Sequence, residues 1–304
     1  MFKSLNVVVS LVYCTLIFTS SFVLAFEEIR QEQVVVNEFP IQYLEAGNGK
    51  SLLFVHGAIS DSRLWEPYVS LLGKERKIIA YTQRYHGIAP WPDDAKTYSR
   101  AQHIDDLIGF IEKMKLQPVD IVTHSYSGGI ALQAMLKRPD LFRSAIHYEP
   151  AMTNHIEGAP GFGNATKVFR SGFGPVIKAL EDGNQGESAL RFAEAVFGLP
   201  QGGISEIPEE IQNIFSDNGR TIPSFLEMEN WEHYDCAALG NIQVPQLVVQ
   251  GGNSHTFFSM AAESISTCLP NSLLVTMQGA THSGPALEIE RFAKLIMGFQ
   301  HIVE

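Results

Sequence analysis

The chain has 304 residues, 45% hydrophobic and 18% charged, with a formal net charge of −11. This length and apolar content can bury a large core, as one large domain or one domain carrying an insertion, and exclude a disordered or fibrous polymer. No basic run or patch occurs, which argues against nucleic acid and anionic membrane surfaces, and the absence of Cys-x-x-Cys, His-Glu-x-x-His and Gly-x-Gly-x-x-Gly leaves metal and dinucleotide cofactors without support.

The first 25 residues stand apart. Lys3 is their only charge, an apolar run extends from Leu5 to Phe18, and small Ala25 closes "SFVLA" ahead of "FEE". This is the order of a secretory signal peptide cleaved near Ala25; a retained anchor is the alternative, because Leu5 to Phe26 can just span a bilayer. Cleavage removes Lys3 and Cys14, takes the net charge from −11 to −12, and predicts a secreted or periplasmic protein without stable membrane association. Cys236 and Cys268 remain, to pair in an oxidising compartment or to stay as two buried thiols.

Further along, "VVVNEFPIQYLEAG" predicts an antiparallel start to a sheet. Short apolar runs at 51–57, 77–82, 119–125, 144–150, 246–252 and 272–277 read as buried strands. Between them, "RAQHIDDLIGFIEKMKL" places Ile104, Leu107, Ile108 and Ile111 on one helical face, and "GGIALQAMLKRP" reads as a second helix ending at Pro139. This alternation predicts an α/β fold, a mostly parallel twisted sheet flanked by helices and built from residues 26–150 and 243–304. From 151 to 242 no strand run occurs, and helical pieces alternate with Gly and Pro clusters. Inserted after the sixth strand, this segment is placed as a helical lid over the strand ends, where open sheets bind ligands. A second structural domain with no part in binding is the alternative.

The stretch "IVTHSYSGGIAL", 121–132, runs a strand into Ser125 and then opens a helix with small residues. That is the nucleophile-elbow order, in which side chains two residues either side of the serine approach closely. Those positions hold Thr123 and Ser127, where glycine is expected.

Taken together, "FVHGAISDSRLW", "THSYSGGIAL" and "GATHSGP" resemble, in order and over nearly the whole chain beyond the leader, the His-Gly loop, elbow and late histidine loop of the α/β-hydrolase family. The resemblance implies Ser125 as nucleophile, His282 as general base and later acid, and the backbone N–H groups of Ala58 and Tyr126 as an oxyanion hole. His56 and His124 read as packed or hydrogen-bonded core histidines. Most relatives carry the orienting acid as an aspartate where this chain has Ser254, which cannot supply a negative charge. Glu149 in "HYEP", at the exit of the preceding strand, is the best substitute, with Asn253 as a neutral orienter and a lid residue such as Asp235 as alternatives. In "YTQRYHGIAPWPDD", Arg84 and Gly87 keep the family pattern while Thr82 and Tyr85 depart from it, in accord with a displaced acid.

The expected function is a cofactor-free serine hydrolase acting on a small, largely apolar ester, lactone or related carbonyl compound through an acyl-enzyme. A carbon-carbon bond hydrolase of the same fold and a non-catalytic ligand-binding protein are the alternatives. Phe162, Phe169, Phe173, Phe197, Phe225 and Trp231 are candidates to line the pocket, most of them expected instead to fill the insertion's own core. The sequence leaves the oligomeric state open.

Overall fold

Apolar residues run almost unbroken through the central strands, and such strands need cover on both faces. In the computed structural model, which describes residues 28–228 and 234–304, they lie in one eight-stranded sheet. The expected signal peptide and Trp231 fall outside the described residues. The strands are β1 (Arg30–Val36), β2 (Phe39–Ala46), β3 (Ser51–Val55), β4 (Lys77–Tyr81), β5 (Val119–His124), β6 (Phe142–Tyr148), β7 (Gln246–Gly251) and β8 (Ser272–Met277), in the spatial order β1-β2-β4-β3-β5-β6-β7-β8. β1 pairs antiparallel with β2 and β2 with β4, as the opening stretch predicts, and all other pairings are parallel.

Helices α1 (Glu66–Leu72), α2 (Arg100–Lys113) and α3 (Tyr126–Lys137) connect the first strands. Between β6 and β7 come α4 (Phe162–Ser171), α5 (Gly174–Glu181), α6 (Gln185–Phe197), α7 (Glu209–Asp217), α8 (Ile222–Glu227) and α9 (Cys236–Leu239). The chain then adds α10 (Thr256–Cys268), α11 (Gly284–Leu287) and α12 (Ile289–Val303). Side chains alternate across the sheet: Leu53, Val55, Ile79 and Ile121 pack with α2, α3 and α10, while Leu52, Phe54, Ile78 and Val122 pack with α1 and α12. Because both faces are buried, a one-residue slip would exchange the two cores, and the register is firmly set.

The departures at Thr82 and Tyr85 serve the loop after β4. Thr82 Oγ1 accepts the Ser62 amide at 3.1 Å, and the Tyr85 hydroxyl bonds to Thr97 Oγ1 at 2.7 Å and Asp93 Oδ2 at 3.1 Å. Arg84 donates to both oxygens of buried Asp106, at 2.5 and 2.9 Å.

The insertion has its own apolar cluster around Val176, Ala189, Phe192 and Phe215, which Ile59 and Phe258 of the sheet body join. Polar contacts fasten it to the loops after β3 and β4: Asn218 Nδ2 donates to Asp61 at 2.7 Å, Gly87 N to Asn218 Oδ1 at 2.6 Å, and Arg63 pairs with Asp217 at 2.8 Å. Cys236 and Cys268 form a disulfide across 5.0 Å between Cα atoms, tying α9 to the end of α10. No described helix is long and apolar enough to cross a membrane.

Candidate active site

Parallel strands deliver their C-terminal ends to one edge of the sheet, and the chemistry-bearing residues leave the strands there. Ser125 follows β5 directly, with φ 56° and ψ −116°. A side chain at positive φ costs about 1–3 kcal/mol unless its surroundings hold it. Here they do: Ser125 N donates to Tyr148 O at 2.9 Å, and Ser125 O accepts from Gly128 N and Ala151 N, both at 3.0 Å. Although Ser125 opens α3, its side chain makes no capping hydrogen bond there. It is part-exposed between fully buried neighbours.

The flanks explain why glycine is dispensable at 123 and 127. Thr123 turns toward β6, with Oγ1 2.7 Å from His147 Nδ1, whereas the Ser127 hydroxyl turns toward β3 and donates to Val55 O at 2.8 Å. The same hydroxyl accepts the His124 amide at 3.0 Å and braces the turn. Close approach falls instead on Gly128, where a Cβ would lie 2.5 Å from that of Pro150.

His282 lies in the loop after β8, and its Nδ1 is 2.6 Å from Glu149 Oε2. Glu149 sits one residue past β6, at φ 45°, and its other oxygen accepts the Gly251 amide of β7 at 2.7 Å. Both side chains are buried. Burial pushes the Glu149 carboxyl up, against the opposing effects of the Ser254 hydroxyl and Gly251 amide, and it pushes the His282 imidazole down. A neutral imidazole donating from Nδ1 keeps Nε2 as an acceptor, the state a base needs. Two further contacts hold the loop: His124 Nε2 is 2.9 Å from His282 O, and the Tyr148 hydroxyl donates to Thr281 O at 2.7 Å. His56 bonds within the fold, to Gly57 O at 2.7 Å and the Gln83 amide at 3.0 Å.

The alternative orienting residues lie elsewhere. Asn253 is exposed and donates to Gly279 O at 3.3 Å, and Asp235 caps α9 by accepting the Ala238 amide at 2.8 Å. Among the described residues no group of three or more His, Cys, Asp or Glu side chains is arranged to hold a metal.

Ser125, His282, Ala58 and Tyr126 line one cavity of about 840 Å³ beneath the insertion. Phe162, Phe169, Phe173, Phe197 and Phe225 line it too; all but Phe162 also join the insertion's core, as expected for most of them, and Phe162 packs with Ile156 and Ala261. Sequence reasoning missed four further walls, Phe192, Phe215, Phe257 and Phe258. The last two stand in "SHTFF", immediately after the late acid position, and that adjacency was the available signal. Phe258 stacks flat on the His282 ring, with centroids 3.7 Å apart and planes 8° from parallel.

Comparison with known proteins agrees with this frame. Residues 52–295 match the model of the Alpha/beta hydrolase family. A 2-(acetamidomethylene)succinate hydrolase from Mesorhizobium japonicum is 26% identical over 287 residues, spanning 91% of this chain and 97% of that protein. A 2-hydroxymuconate semialdehyde hydrolase from Pseudomonas putida is 24% identical over 230 residues, 74% of this chain and 76% of that one. The crystal structure of E-2-(acetamidomethylene)succinate hydrolase superposes with a TM-score of 0.66 at 22% identity, covering 90% of this chain and all of that one. The chain belongs to the alpha/beta hydrolase family and is a hydrolase.

Proposed function

We propose that the protein is a serine hydrolase that cleaves a largely apolar ester, lactone or related carbonyl compound through an acyl-enzyme on Ser125. The observation that carries this reading is the buried Glu149–His282 hydrogen bond in the loops that frame the cavity holding the strained Ser125. In the first half-reaction Ser125 Oγ attacks the carbonyl carbon while His282 Nε2 takes its proton, and the Ala58 and Tyr126 amides receive the oxyanion. His282 then gives that proton to the leaving group. In the second half-reaction it activates water against the acyl-enzyme. Glu149 holds the productive tautomer and stabilises the imidazolium whenever it forms.

Phenylalanine walls favour an apolar substrate, and about 840 Å³ lies in the upper part of the roughly 300–1,000 Å³ range of small-molecule pockets. The insertion acts as the lid. Labelling by a fluorophosphonate tests the reading: the wild type is expected to react at Ser125, and Ser125→Ala and His282→Ala are expected not to react. A folded wild type that stays unlabelled would overturn it.

The 2-hydroxymuconate semialdehyde hydrolase relative supports a second reading, carbon-carbon bond cleavage by the same serine and histidine. Rapid-quench measurement separates the two, since a burst of alcohol product on an ester substrate favours the first. The Cys236–Cys268 disulfide, with the leader-like first 25 residues, supports secretion or export to a periplasm. Localisation of a tagged chain tests it.

A further inference from the structure

We propose that Phe258 is a positioning residue that fixes the plane of the His282 imidazole and couples the base to the lid; this rests on the serine hydrolase reading above. The Cβ–Cγ bond and one in-plane hydrogen bond, Nδ1 to Glu149 Oε2 at 2.6 Å, anchor one edge of the ring but leave it able to tilt about that edge. A buried aromatic ring lying flat at 3.7 Å on the imidazole face removes that tilt. It also keeps water off that face.

Phe258 is held from the lid side. Phe169 of α4 meets it edge-on at 5.2 Å and stacks on neighbouring Phe257 at 4.5 Å. The turn that carries Phe258 is fastened to the lid as well, because His255 Nε2 is 2.9 Å from Ala195 O at the end of α6. A substrate that displaces Phe169 therefore acts, through one intervening ring, on the base. The titratable groups around His282 are Glu149 from the β6 exit, His124 from β5 and His255 ahead of α10. Phe258 adds a neutral, unhydrated surface to that set, in keeping with the downward push of burial on the imidazole.

The test compares wild type, Phe258→Leu, Phe258→Met and Phe258→Tyr by two measurements. The first is the rate of fluorophosphonate labelling as a function of pH. Because only the neutral imidazole accepts a proton, hydrating it raises the pH at which reactivity is lost. Phe258→Leu and Phe258→Met are expected to slow labelling roughly ten- to a hundredfold and to move the acid limb upward, while Phe258→Tyr keeps both near wild type. The second is an NMR titration of the His282 ring, which needs no turnover and should show its titration moving to higher pH in the Leu and Met variants. Uniform slowing with an unmoved acid limb, or an unmoved titration, would overturn the proposal as a merely structural effect. If folded wild type does not label, the hydrolase reading falls, and the titration still decides whether Phe258 governs the ring.

Discussion

Asp120 and Glu149 are buried carboxylates near opposite ends of neighbouring strands, and their partners differ in kind. Asp120, at the start of β5, receives Arg143 Nε at 3.0 Å and its terminal nitrogen at 2.6 Å, Arg76 at 3.1 Å and the Ser144 hydroxyl at 2.7 Å. Glu149, past the end of β6, receives one backbone amide and an imidazole that burial keeps neutral. Two guanidiniums fix a charge and leave nothing for it to respond to. A carboxyl with neutral partners is poised to stabilise a cation that appears only during a reaction. On the proposed serine hydrolase reading, one end of the sheet serves the fold and the other proton movement.

Substitutions that remove one charge at a time should separate these roles. The largest expected effect is from Glu149→Gln, which keeps shape but cannot stabilise the imidazolium; labelling of Ser125 is expected to fall roughly a thousandfold or more with the fold intact, and retained reactivity would place the acid elsewhere. Asp120→Asn weakens the pairing of two part-buried guanidiniums, of which Arg76 keeps Glu304 at 2.5 Å. Chemical denaturation should show a loss of about 1–3 kcal/mol, while the labelling rate per folded molecule is retained.

Acid sharpens the contrast further. His56, His124 and His282 at the functional edge are buried neutral, with values pushed by burial to about 4, 3 and 3. Their unfolded forms bind protons near pH 6.5, so the stability they contribute is present above that pH and declines as pH falls toward 3–4. Glu149, raised to about 7, works in the opposite sense, stabilising below pH 4.5 and losing that contribution as pH rises through 7. Three groups outweigh one. Urea titrations at stepped pH should therefore show stability falling from about pH 6 downward, and a flat profile would contradict the neutral histidines. The smallest expected effect is from Ser127→Ala, about 1 kcal/mol in a thermal melt, because it removes the hydroxyl that braces the elbow without touching the reacting atoms.

The sheet was legible because parallel strands buried on both faces leave continuous apolar runs, and the element order around 51–150 follows from those runs alone. The Glu149–His282 contact was legible for a topological reason: exits of adjacent parallel strands open on one edge, so a carboxylate after β6 and a histidine after β8 can meet across β7. The direction of side chains within a turn was not legible. Thr123 and Ser127 violate the small-flank expectation in sequence but point to different neighbouring strands, which only the packed sheet reveals. The aromatic walls were hidden for a related reason, since a phenylalanine facing a cavity and one facing a core leave the same trace in a sequence.

The Gly251 amide bears on where such a site can carry its acid. The strand whose exit bears the acid in most relatives still takes part here, by gripping the far oxygen of Glu149. Ser254, where the family resemblance places that aspartate, is neutral and offers Glu149 only a hydroxyl, which favours its charge. Restoring aspartate at 254 while Glu149 remains would crowd two carboxylates onto one imidazole, and they would share protons rather than both ionise. Losing Glu149 first would strand the histidine. Moving the acid between the two placements one substitution at a time therefore passes through a site with either two carboxylates on the imidazole or none.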